Sequence, residues 1–155
     1  MKTLVLGLGN PILCDDGVGI RVARELRHRL DRKDVTVQET SLAGLRLLDL
    51  LTGYDRAVII DAIETDEGKA GQVYRLDPDA FGAAKHVSSV HDVDFATALA
   101  LGERLGMSLP GQIVIYAIEA EDTGTFSEEC TPEVRRAIPV CVEMVLQELE
   151  DDDHI

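Results

Sequence analysis

Tryptophan is absent from this 155-residue chain, and phenylalanine and tyrosine supply only three residues each. A core must therefore be built from Leu, Val, Ile and Ala, and a hydrophobic fraction of 45% is enough to build one. Cysteine is also scarce. Cys14, Cys130 and Cys141 show no CxxC spacing, which excludes a disulfide framework and a zinc ribbon. Such usage fits a reducing compartment, so a cytoplasmic location is expected. Bases are few as well: 15 Lys and Arg face 29 Asp and Glu, for a net charge of −14. A surface of that sign opposes nucleic acid and anionic membranes and suits solubility or a basic partner. No apolar run approaches membrane-spanning length. The opening "MKTLVLGLGNPILCDDG" has too short an apolar stretch for a secretory signal and no small-residue cleavage site. Repeats, low-complexity tracts and long linkers are missing too. One domain over residues 1–150 with a short acidic tail, 151–155, is the expectation.

What is present alternates between strand-like and helix-like segments. "KTLVLGLG" (2–9) reads as a short buried strand, and "DGVGIRVARELRHRL" (16–30) sets Ile20, Ala23, Leu26 and Leu30 on one helical face. "DVTVQE" (34–39) alternates as a strand, and "AGLRLLDLLTGY" (43–54) is a leucine-rich helix ended by Gly53. "RAVIIDAIE" (56–64) has the continuous β-branched character of a central strand buried on both faces. A strand over 71–78, an irregular stretch over 79–91, a helix over 92–106 and a buried strand over 111–120 follow. In the last segment, 131–150, Thr131 suits an N-cap and Pro132 a first helical position. Val134, Ile138, Cys141, Val142, Val145 and Leu149 form its apolar stripe, and Pro139 inside it predicts a kink or break. This alternation argues for a three-layer α/β domain with a mostly parallel sheet. Ligands of such sheets bind beyond the carboxyl ends of the strands.

The loop "GLGNPILCDDGVG" (7–19) lies at one such end. It has the first two glycines of a dinucleotide fingerprint, and Glu39 ends the second strand where a ribose-binding acid would sit. However, Ile12 replaces the third glycine, and Asp15 and Asp16 occupy the helix start where a pyrophosphate would dock. No P-loop is present. Two readings of the acids remain: caps on the helix dipole, or a site presented by the turn. Gly17 and Gly19 would allow close backbone packing there, against their cost in a helix.

Asp61 interrupts the most apolar strand. A carboxylate there must be paired, hydrogen-bonded or metal-bound, or else it caps the following turn. Of four histidines, His28 lies on a charged helix face and His154 in the acidic tail, while His86 and His91 flank "VSSV" before a helix. Convergence of Asp16, Asp61 and one of these last two would make a mixed oxygen and imidazole site suited to zinc, nickel or manganese. HExxH and a serine nucleophile elbow are both absent. Cys14 sits beside acids that disfavour its thiolate, which argues against a nucleophilic role.

With these residues assembled, the chain resembles the hydrogenase maturation endopeptidases, which process the large subunit of nickel–iron hydrogenases. The resemblance is carried by "LVLGLGNPILCDDGVGIRVAREL", "LAGLRLLDLL", "VIIDAIE", "SSVHDVDFATAL" and "CTPEVRRAI", in that order along the chain. It implies an aspartic-type endopeptidase with a five-stranded α/β/α sandwich of the phosphorylase/hydrolase-like kind. The enzyme would remove a C-terminal extension from a large-subunit precursor already loaded with nickel. The metal-contacting residues map to Asp16, Asp61 and His91. The nickel is implied to be the recognition signal within the substrate, not a tightly held cofactor. The segment "ETSLAG" departs from the family's Asp-Gly-Gly-Thr, with Glu39 in the Asp place and no glycine pair. A monomer is compatible with this reading. The competing classes are a module that docks the precursor without cutting it, a dinucleotide-binding enzyme, and a peptidyl-tRNA hydrolase, whose opening "VLGLGNP" also resembles. The last continues into an Arg-His-Asn segment missing here, and its tRNA substrate would be repelled by this charge.

Overall fold

The computed structural model of the protein describes residues 1–42, 44–84 and 95–152. Within them the chain forms β1 (Thr3–Leu8), α1 (Val18–Arg29), β2 (Val35–Thr40), α2 (Leu47–Leu51), β3 (Arg56–Ile63), β4 (Val73–Leu76), α3 (Pro78–Ala83), α4 (Phe95–Arg104), β5 (Gln112–Glu119) and α5 (Pro132–Asp152). Short 3-10 turns precede α1 (Cys14–Gly17) and α2 (Gly44–Arg46).

The five strands make one sheet in the order β2-β1-β3-β5-β4. β2, β1, β3 and β5 run parallel, and β4 pairs antiparallel at the edge. Every residue of β1 and β3 is buried, as their unbroken apolar runs predict. Alternation along each strand divides the core between two faces. Val5, Val58, Ile60 and Tyr116 pack with α1 and α5 on one side. Leu4, Leu6, Ile59 and Ile115 pack with Leu47, Leu51, Phe81 and Ala98 of α2, α3 and α4 on the other. The three-layer sandwich is thus as expected.

Three local expectations need correction. The stretch expected to be irregular from residue 79 contains α3: Asp77 Oδ1 accepts from the Ala80 amide at 2.7 Å and Pro78 opens the helix. Both are ordinary helix-start signals, and buried Phe81 anchors the turn. The second helix is shorter than 43–54. Finally, of the kink or break expected at Pro139, the break does not occur: α5 continues through it to Asp152. Val134 and Ala137 before the proline, and Cys141, Val142, Val145 and Leu149 after it, are all buried against the sheet. Packing on both sides therefore holds the helix together, while the proline ring lies on the exposed face.

The chain leaves β1 for β2 on one side and later places β3 on the other side of β1. The switch point of the sheet is therefore the crevice between the carboxyl ends of β1 and β3, where doubly wound folds bind ligands.

Candidate active site

Asp16 and Asp61 are both at this crevice. Asp16 sits in the 3-10 turn after β1, and that turn packs on β3. Two glycines bring it there. A Cβ on Gly9, whose φ is 137°, would stand 1.9 Å from the Asp16 carbonyl oxygen. A Cβ on Gly19 would stand 2.3 Å from the carbonyl oxygen of Ile60 and 2.6 Å from that of Leu8. Only glycine lets the first turn of α1 lie this close to both strands. Ile60 immediately precedes Asp61, so the same contact sets the Asp16 turn against the end of β3.

The Asp16 side chain is buried at 8% exposure. Its Oδ2 accepts the Asn10 amide at 2.9 Å, whereas Oδ1 is buried with no hydrogen-bond partner among the described residues. Burial pushes the Asp16 carboxyl above the ordinary range, the Asn10 amide pulls it back, and the nearby Glu64 charge raises it again. The loop amide that a phosphate would need at this point is thus taken by a carboxylate. Asp61 is fully buried within β3, opposite Ala117 of β5. Its Oδ1 accepts the amide of Ala62 at 2.8 Å. Alternation sets it on the face of Ala57, Ile59 and Ile63. His91 and His86 lie outside the described residues, as does His154. Among the described residues no three His, Cys, Asp or Glu side chains gather into a metal cluster.

Asp15 does not cap α1, whose start has no side-chain cap hydrogen bond. It is fully buried and turned toward the segment between β5 and α5. Its Oδ2 accepts the amides of Glu121 (2.9 Å) and Asp122 (3.0 Å) and the Thr131 hydroxyl (2.8 Å), and its Oδ1 accepts the Thr131 amide (2.7 Å). The hydroxyl of Thr131, read from sequence as an N-cap, is thereby donated to Asp15. Backbone bonds extend the seam: Asp15 amide to Asp122 carbonyl (2.9 Å), Cys14 amide to Ser127 carbonyl (3.0 Å), and Ser127 amide to Ile12 carbonyl (2.9 Å). Residues 121–131 therefore form a fixed wall beside Asp16.

Glu64, just past β3, was not singled out in the sequence. Its carboxylate accepts the Thr123 hydroxyl at 2.9 Å, tying the end of β3 to that wall, and its charge reaches Asp16. Only its place at a strand end hinted at this. Glu39 takes no part in the crevice contacts described; Arg24 (2.9 Å) and Arg27 (3.4 Å) pair with it, and the Arg24 guanidinium holds its carboxyl below the usual range. The three thiols are free and buried. Burial, reinforced by Asp15, pushes the Cys14 thiol up, which agrees with its exclusion as a nucleophile.

A family model of hydrogenase maturation proteases matches residues 20–148. The hydrogenase expression/formation protein HupD of Bradyrhizobium diazoefficiens is 29% identical over 153 residues, covering 97% of this chain and 79% of that protein. The hydrogenase 2 maturation protease of Escherichia coli is 28% identical over 153 residues, covering 97% and 92%. The solved structure of the hydrogenase maturating endopeptidase HybD from E. coli superposes with a TM-score of 0.84 at 28% identity, covering 98% of this chain and 94% of that one.

Proposed function

We propose a substrate and a reaction from one premise: this chain belongs to the hydrogenase maturation protease family. It is a hydrolase, an endopeptidase of hydrogenase maturation. The proposed reaction is removal of the C-terminal extension from a nickel-loaded large-subunit precursor of a nickel–iron hydrogenase. In this reading Asp16, Asp61 and His91 contact the nickel, which arrives as part of the substrate. No helix of the described residues is long and apolar enough to cross a membrane, and the proposed setting is the cytoplasm.

The observation that carries the reading is the Oδ1 of Asp16. A buried carboxylate oxygen with no donor is costly in the free protein, and a divalent cation brought against it would offset that cost. In this reading Asp61, buried near the carboxyl end of the adjoining strand, supplies the second oxygen ligand. Imidazole from His91 would complete a donor set in keeping with nickel. Nickel in such a place supplies Lewis acidity for peptide hydrolysis. The chain's own part is to fix the precursor tail: the rigid 10–16 turn and the 121–131 wall leave little to reorganise when the scissile peptide is seated.

The test is incubation of the protein with nickel-loaded and nickel-free precursor, read by the change in subunit size. Cleavage of the loaded form alone is expected, and Asp16→Asn, Asp61→Asn and His91→Ala should each abolish it while staying folded. Equal cleavage of both forms would remove nickel from recognition. A stable complex with no released peptide would instead identify a docking module.

A further inference from the structure

We infer that Phe126, with Ile12 beside it, is a pre-ordered apolar anchor on which the precursor protein docks, entering an apolar recess of the partner rimmed by basic side chains. This rests on the reading that a protein precursor is the substrate.

Phe126 stands apart from the other aromatics. The six of the chain are all described; Phe81, Phe95 and Tyr116 are buried and Tyr54 and Tyr74 half-buried, whereas Phe126 is 80% exposed. Ile12 is 47% exposed, and its carbonyl accepts the Ser127 amide, so the two residues flank one backbone contact. A lone exposed phenylalanine on a loose loop would mean little. This one is held on both sides. Ahead of it, the Asp122 carboxylate accepts the amides of Gly124 and Thr125 at 3.0 Å each and the Thr125 hydroxyl at 2.6 Å. Behind it, Ser127 pairs with Leu13 in a parallel bridge. The ring is thus presented by a backbone that is already ordered, which lowers the entropic cost of docking.

Charge identifies the occupant. The same segment exposes Glu121, Glu128 and Glu129, the last paired with Arg135 at 3.6 Å. Arg21 is bonded to the backbone carbonyl of Glu128 and not to its carboxylate. An apolar knob in an acidic ring suits a recess ringed by Lys or Arg. A second copy of this chain would bring the two acidic rings together. Position identifies the purpose: Ile12 lies in the same turn as Asp16, so a partner seated on the anchor has its chain at the crevice.

The experiment uses the full chain with Phe126→Ser, Phe126→Trp and Ile12→Ser on purified precursor. Phe126→Ser should raise KM about 10- to 100-fold, the range of a buried aromatic anchor, with kcat little changed and melting unaltered, while Phe126→Trp restores KM. A photo-crosslinking residue at position 126 should form an adduct with the precursor, and added salt should raise the wild-type KM. Unchanged KM in Phe126→Ser overturns the inference, as does light scattering that shows a wild-type dimer dissolved by that substitution. If wild type fails to cleave, the reaction proposed above falls, and the crosslink alone decides docking: an adduct supports it and none refutes it.

Discussion

Substituting Asp15 tests whether the wall beside the site is held by one carboxylate. Asp15 accepts from four N–H and O–H donors, at 2.7, 2.8, 2.9 and 3.0 Å, and more weakly from the Cys14 thiol at 3.9 Å, and is fully buried. In Asp15→Asn the amide oxygen can keep the three donors of Oδ2, but the NH2 then faces the Thr131 amide, donor against donor. One charge-assisted bond is lost and one part-buried donor is stranded, which together cost about 3 kcal/mol. Asp15→Ala removes all four bonds. Their simple sum overstates the cost, because the donors are only part-buried and because the carboxylate's own desolvation is relieved; about 3–5 kcal/mol is expected. Since a domain of this kind has roughly 5–15 kcal/mol in total, the Asn variant is the one to study. Its midpoint should fall by roughly 6–12 °C. Hydrogen exchange should show the amide of Thr131 losing protection while β3 keeps it. A midpoint within about 2 °C of wild type, with that amide still protected, would refute the argument.

Gly19→Ala should destabilise the protein by about 1–3 kcal/mol despite alanine's better helix propensity, because its Cβ meets backbone oxygens that cannot yield. Precursor processing, read by gel, should fall further than denaturation predicts, since the Asp16 turn is displaced from β3. At the far end of the sheet, Glu148 takes Arg75 Nε at 2.6 Å and the Tyr116 hydroxyl at 2.7 Å, and the Arg75 bond first of all holds its carboxyl below 4.5. A lowered folded value gives stability that is present above 4.5 and lost as pH falls through the folded value. Glu148→Gln should therefore melt lower than wild type at neutral pH, and the gap should close with acidification when melting is followed across pH.

The parts of this fold that were legible in sequence are those written in short range. The β-branched run around Asp61 could only be a central strand, and β3 is buried throughout. Gly17 and Gly19 were readable as close-packing residues because glycine costs a helix stability and must be compensated. The role of Asp15 was not legible, because its donors lie more than a hundred positions away. Local reasoning could offer only the nearest helix, and tertiary contacts outweighed it. A break at Pro139 is absent for the same reason: its local penalty is set against a stripe whose burial spans both sides of it. In contrast, α3 was within reach, since Asp77 and Pro78 are a local start signal.

The two adjacent aspartates show how one turn separates structure from chemistry. Asp15 and Asp16 have the same carboxylate and nearly the same burial, yet Asp15 collects four N–H and O–H donors and a thiol, and Asp16 one donor. Burial of the first is compensated internally. Burial of the second is not, and its carboxyl is accordingly raised by desolvation and by the charge of Glu64. A sequence selected for stability alone would place a donor against Oδ1 or replace the acid by its amide. Retaining both the acid and a neighbouring like charge lowers the stability of the free protein and favours any state in which positive charge arrives from outside. The bonds to Asp15 keep the turn from relaxing to relieve that cost. The bonds of Asp15 and the unsatisfied oxygen of Asp16 are therefore parts of one arrangement, in which the first carboxylate immobilises the backbone that holds the second buried without a donor on Oδ1.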